Sequence, residues 1–168
     1  MGATSFDLAT VTRVVIAVDG CLTATEMTVA ADGSLGRSID RRDLLAVRMA
    51  VMSGVTVVAV IDSDARGLRQ CLEMAGVVRF VTPAECGILR GEARGTTLCL
   101  AADVDAAPLM DGLGYVCCPS DAATDVKADA DYVSRMAGGH GFVRDVVEQL
   151  LRSQQRWEEC VKRLAYVG

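Results

Sequence analysis

The sequence predicts an α/β fold with a mainly parallel sheet between helices, and two observations carry that reading. Apolar, β-branched runs alternate with segments of helical period along the chain. Three of those runs end in aspartates, at Asp19, at Asp62 and Asp64, and at Asp103 and Asp105. In open α/β sheets, sites form at the C-terminal ends of strands, so these acids mark the candidate site.

Residues 11–18 read as a strand, and the unbroken run Val14-Val15-Ile16-Ala17-Val18 suits burial on both faces. Residues 26–30 and 35–39 flank Ala31-Asp32-Gly33-Ser34, where Asp-Gly between short alternating runs signals a hairpin. Residues 42–52 carry Leu44, Leu45, Val47, Val51 and Met52 at helical spacing, and Gly54 stops that helix. Strands follow at 55–61, 78–81, 97–101 and 114–118, with an edge strand at 132–133. Helices are predicted over 65–74, from Pro83 onward, over 106–110 and over 122–128, and one long terminal helix over 141–164. No linker, repeat or low-complexity segment divides the chain, so it reads as one domain over 1–168, interrupted by a hairpin insertion at 24–40.

Composition excludes several partners. At 168 residues the chain can bury ~70% of the surface its unfolded form exposes. Its 51% hydrophobic content contains no run near the ~20 residues of a membrane helix. The net charge is −5 and the lysines are two, Lys127 and Lys162, which argues against nucleic acid. Residues 1–8 lack a basic region followed by an apolar core, so no secretory signal is read there and a cytoplasmic location is expected. Seven cysteines occur with no C-x-x-C pair, which fits buried thiols better than zinc.

Ala17-Val18-Asp19-Gly20-Cys21-Leu22-Thr23 resembles the first motif of the haloacid-dehalogenase superfamily, and more narrowly that of the 3-deoxy-manno-octulosonate-8-phosphate phosphatases and the related C-terminal domains of CMP-sialic acid synthetases. The resemblance spans residues 12–151. It includes Asp43 in an R-D-G-like turn and Pro119-Ser120-Asp121-Ala122 with Val126-Lys127. Ala130-Asp131-Tyr132-Val133 and Gly138-Gly139-His140-Gly141-Phe142-Val143-Arg144 complete it. It implies a Rossmann-like parallel sheet with a small β-hairpin in place of a cap domain. It also implies a tetramer in which the hairpins meet.

In that family an aspartate carboxylate beside Mg²⁺ takes the phosphoryl group and passes it to water. The first Asp of the family's D-x-D is Ala17 here, and a methyl group neither attacks phosphorus nor ligates metal. Asp19 holds the general acid–base position, or is simply a turn former before Gly20. Asp62 stands where the second motif has a hydroxyl. Ser63, one place along, is the residue left to touch phosphate, unless it or Asp62 caps the next helix. The third motif's lysine is absent from Ala84-Glu85-Cys86-Gly87-Ile88, and Arg90 suits a solvated face better than the site. In the fourth motif Pro108 and Met110 fix the register, Ala102 and Ala106 replace aspartates, Asp103 survives and Asp105 replaces Asn.

The scaffold motifs thus persist while all four catalytic motifs are damaged. No cofactor is expected. Mg²⁺ is the one candidate, with Asp19 and Asp103 as its remaining ligands. Gly138 and Gly139 offer backbone amides to an anion at a helix start, and His140 is the sole histidine. The expected function is a catalytically inactive phosphatase homologue acting as an oligomeric scaffold or regulator, with itself or an enzyme of sugar-acid metabolism as partner. The alternatives are a weak Mg²⁺-dependent sugar-acid-phosphate phosphatase and a sugar-acid sensor. Trp157, in the tail, reads either as a docking residue or as core.

Overall fold

The computed structural model describes residues 6–90, 92 and 95–166. The reading of residues 1–8 therefore falls mostly outside the described residues. Strand β1 (Arg13–Ala17) runs into α1 (Val18–Cys21), a single turn kinked at Asp19 and at Gly20, whose φ is 80°. An antiparallel hairpin of β2 (Thr28–Val29) and β3 (Leu35–Gly36) follows. Then come α2 (Arg41–Met52), β4 (Thr56–Val60), α3 (Arg66–Met74) and β5 (Arg79–Val81). A 3-10 segment, Pro83–Leu89, precedes β6 (Thr97–Leu100), and a 3-10 turn, Val104–Ala106, merges into α4 (Ala107–Met110). The chain closes with β7 (Tyr115–Cys118), α5 (Thr124–Asp129), β8 (Tyr132–Val133), α6 (Phe142–Ser153) and α7 (Trp157–Ala165).

The main sheet has the order β5-β4-β1-β6-β7-β8, and every pairing in it is parallel. Side chains alternate between its faces. Val14 and Ile16 of β1 join Leu98, Leu100, Val57 and Ala59 in the core under α2 and α6. Val15 joins Val58, Val60 and Cys99 in the core of the opposite face. Each fully buried Val or Ile contributes about 1.5–3 kcal/mol over exposure, which explains why the central strands are apolar without interruption. Among the described residues no helix is long and apolar enough to cross a membrane.

Two expectations need correction. The terminal helix is two helices, α6 and α7, separated by a turn in which Gln155 takes φ 57°. Trp157 folds back to 6% exposure, with the Arg144 and Arg152 guanidiniums 4.5 and 5.0 Å from its ring. The Gln154 side-chain amide donates to the Val11 carbonyl at 2.8 Å, which fixes the break. Trp157 is therefore a core residue. The segment opened by Pro83 is 3-10 instead of α, despite a capping box between Thr82 and Glu85, and Gly87 within it weakens any longer helix.

Helix α6 has no side-chain cap of its own, because its N-cap is Gly141 at φ 105°. Asp43 of α2, fully buried, supplies the cap from across the fold. Its Oδ2 accepts from the Gly141 amide at 3.0 Å and its Oδ1 from the Arg144 amide at 2.8 Å. Burial pushes this carboxyl above its ordinary pKa, and the two amides pull it back. Asp43→Ala strands both donors in the interior and is expected to cost about 2 kcal/mol or more in urea unfolding. Asp43→Asn keeps one acceptor and is expected to cost less.

Candidate functional site

Strands β4, β1 and β6 lie side by side, so their C-terminal ends bring Asp19, Asp62, Asp103 and Asp105 to one rim. A cavity of about 250 Å³ opens there, lined by Ala17, Asp19, Asp62, Cys86, Asp105 and Leu109 among others. A second, of about 340 Å³, adjoins it through Asp19 and Asp105 and adds Thr23, Arg37, Asp103 and Asp121. Among the described residues no Lys, Arg or His lines the first cavity. Its floor is apolar, with the half-buried Ala17 methyl where β1 ends. Ala102 is buried, and a Cβ built on Gly20 would meet its methyl at 2.9 Å, so the wall beside Asp19 is small and closely packed.

Asp19 is placed by the kink of α1, where Gly20 adopts a φ that few other residues take. The Gly20 amide donates to Thr23 Oγ1 at 3.2 Å. Arg37, just past β3, brings its Nε to 2.9 Å from Asp19 Oδ1 and its Nη2 to 3.5 Å from Oδ2. Burial nonetheless raises the Asp19 carboxyl above its ordinary pKa. Arg37 opposes that rise, and repulsion from Asp62 and Asp105 adds to it.

The other candidates fall in varied places. Ser63 is exposed and lines neither cavity. Neither it nor Asp62 caps α3, whose N-cap is Ala65 without a side-chain bond; Asp62 closes the turn through its carbonyl, which accepts from the Ala65 amide at 3.2 Å. Asp64 faces a separate cleft of about 640 Å³ between the hairpin and α3. Asp103 caps the following 3-10 turn, accepting from the Val104 amide at 2.7 Å. Arg90 is exposed and contacts the Pro108 carbonyl at 3.4 Å, as a solvated side chain would.

The amides of the glycine loop are engaged inside the fold. Gly138 donates to Asp121 Oδ1 at 2.9 Å, Gly139 to the Cys21 carbonyl at 3.0 Å and His140 to the Ala137 carbonyl at 3.1 Å. A Cβ on Gly138 would overlap the Gly20 carbonyl oxygen, and one on Gly139 the Ala24 amide. These glycines are required by the close approach of two backbones. His140 is exposed and lines neither cavity. All seven cysteines are free thiols and six are buried, with Cys99 pushed up to about 12 by burial. Arg37 is the site residue that sequence reasoning missed. Its only signal was a lone cation on the outgoing arm of the hairpin.

The donors do not fit a divalent metal well. Ala17 and Ala102 bring methyl groups, Asp103 and Asp121 are turned to amides, and Asp19 is paired with Arg37. Among the described residues no three His, Cys, Asp or Glu side chains converge as a metal site.

No protein-family model matches the chain, and no curated protein sequence does. Solved structures do match, and they give the class: the chain has the fold of the haloacid-dehalogenase superfamily. Within it the chain is similar to 3-deoxy-D-manno-octulosonate 8-phosphate phosphatases. The Haemophilus influenzae enzyme, solved in its cobalt-bound form, is 24% identical with a TM-score of 0.81, over 90% of this chain and 93% of that one. The Yersinia pestis enzyme is 21% identical with a TM-score of 0.80, over 90% and 86%. The Moraxella catarrhalis enzyme, solved with magnesium, phosphate and the sugar acid KDO, is 16% identical with a TM-score of 0.85, over 94% and 95%. At these identities the likeness establishes the fold. The expectation of no cofactor draws no support from the cobalt-bound and magnesium-bound neighbours.

Since burial and repulsion outweigh Arg37 at Asp19, its folded pKa lies above the unfolded one. Stability from its proton is full below the unfolded value near 3.8 and is lost as the pH rises through the folded value. Asp19→Asn is therefore expected to raise the melting temperature at neutral pH relative to the parent, with the gain fading as the pH falls towards 3.8. Thermal scans across that range check it.

Proposed function

We propose that this chain is a pseudophosphatase: a haloacid-dehalogenase-fold protein that does not run aspartyl-phosphate chemistry and acts as an oligomeric scaffold or regulatory partner. The observation that carries it is the lining of the β1-end cavity, with the Ala17 methyl at its floor, Asp19, Asp62 and Asp105 around it and no cationic side chain among the described residues. Covalent phosphoryl transfer needs a carboxylate nucleophile at the end of β1. Three carboxylates, whose neighbouring guanidinium Arg37 is already paired with Asp19, repel a phosphate monoester.

The hairpin supports the assembly part of the reading. Met27, Val29 and Leu35 are 54%, 69% and 54% exposed on a two-stranded ribbon, and such ribbons are marginal alone. A homotetramer joined through the hairpins covers them. Mass photometry of the parent is expected to give a multimer, and Val29→Asp with Leu35→Asp to shift it to monomer. A monomeric parent removes the assembly argument.

The second reading, a Mg²⁺-dependent phosphatase of sugar-acid phosphates, is favoured by the neighbours, three of which are 3-deoxy-D-manno-octulosonate 8-phosphate phosphatases. Hydrolysis would then proceed without a covalent intermediate, with Asp19 holding the proton. A bound metal would supply Lewis acidity, and Asp19 and Asp105 are the side chains nearest to hold it. A sensor that binds a sugar acid without turnover is the same pocket without the water step. Phosphate release from 3-deoxy-D-manno-octulosonate 8-phosphate with saturating Mg²⁺ separates the phosphatase from the other two readings, and binding of the sugar acid by calorimetry separates those two. No release above the blank is expected. Robust turnover abolished by Asp19→Asn overturns the pseudophosphatase reading.

A further inference from the structure

The hairpin hands one charged side chain to the acidic rim. Arg37 leaves β3 and reaches Asp19 with two nitrogens, at 2.9 and 3.5 Å. Its side chain is 18% exposed against 46% for Asp19, so the guanidinium is the more enclosed member of the pair. Arg37 lines the cavity of about 340 Å³ that holds Asp19, Asp103, Asp105 and Asp121. It also lines the cleft of about 640 Å³ on its other side, between the hairpin and α3. It is thus the wall between the two spaces.

The charge count on the rim is uneven. Across the two adjoining cavities the lining aspartates are Asp19, Asp62, Asp103, Asp105 and Asp121, and among the described lining residues Arg37 is the one cation. Asp103 and Asp121 are partly compensated by the Val104 and Gly138 amides. Asp19, Asp62 and Asp105 line the same small cavity, and Asp19 is ion-paired with Arg37. A guanidinium stays protonated at every working pH, and its planar fork matches a carboxylate through two donors.

We propose that Arg37 is the resident counter-cation of this pocket. Its guanidinium takes the charge-balancing place that a divalent ion would otherwise fill, and it straps the hairpin to the α1 turn. The inference stands on the ion pair and the cavity lining, and it rests on the metal-free readings of the pocket, as pseudophosphatase or sensor. It makes the pocket indifferent to divalent cations, and it makes the hairpin's position depend on the charge of Asp19.

The test compares melting temperatures in MgCl₂ and in NaCl of equal ionic strength. The parent is expected to respond equally to the two salts. Arg37→Met is expected to melt about 3 °C lower and to recover selectively in MgCl₂, while Arg37→Lys, which keeps a charge, behaves as the parent. Adding Asp19→Asn to Arg37→Met is expected to abolish the selective recovery. A parent as selectively stabilised by MgCl₂ as Arg37→Met overturns the proposal. So does an Arg37→Met variant with no selective recovery, or recovery that survives the second substitution. Phosphatase activity enters none of these readouts, so failure here and failure of the pseudophosphatase reading are told apart.

Discussion

Strand β1 is buried on both faces and paired on both edges, and the rest of the molecule is arranged around that constraint. Its flanking partners are β4 and β6, so three strand ends come within one rim and the loops that follow them share one pocket. A parallel sheet with helices on both faces admits few other placements for an apolar central strand. The site is therefore a product of topology before it is a product of its side chains. That is why a pocket stands at these strand ends whatever side chains line it.

What those side chains can do follows from charge. The neighbours share the fold at 16 to 24% identity, which leaves the chemistry to the residues actually present. The rim carries acids, and Arg37 is the one cation among its described lining residues. A phosphate approaching it meets repulsion from Asp19, Asp62 and Asp105, relieved chiefly by a guanidinium already committed to Asp19. Fold and charge thus pull the functional reading in opposite directions, and the cavity lining is the more local of the two arguments.

Much of the fold was legible because hydrophobic period and turn chemistry agree at most positions. The six strands of the main sheet fall where apolar runs stand, and Asp32 with Gly33 turns the hairpin through bonds from Ser34 at 2.9 and 2.6 Å. The break between α6 and α7 was not legible. Ser153-Gln154-Gln155-Arg156 contains no Gly or Pro, and the turn is set by Trp157 and Gln154 contacting distant parts of the chain. At the site, the aspartate rim was readable from strand ends. Arg37 was not, because its meeting with Asp19 depends on how the hairpin folds over the α1 turn. Ser63 and the loop amides were attractive by motif position alone, and tertiary packing sends the serine outward and the amides inward.

The contact between the glycine pair at 138–139 and the α1 turn has a temporal side. Ribosomal synthesis delivers residues 18–24 long before residue 139, and the Cys21 carbonyl has the Gly139 amide as its partner. Until that late segment emerges, the turn carrying Asp19 lacks its native cover, and α2 lacks the helix that Asp43 caps. Until α6 has emerged, the apolar face of α2 that it covers in the native fold is exposed on the nascent chain.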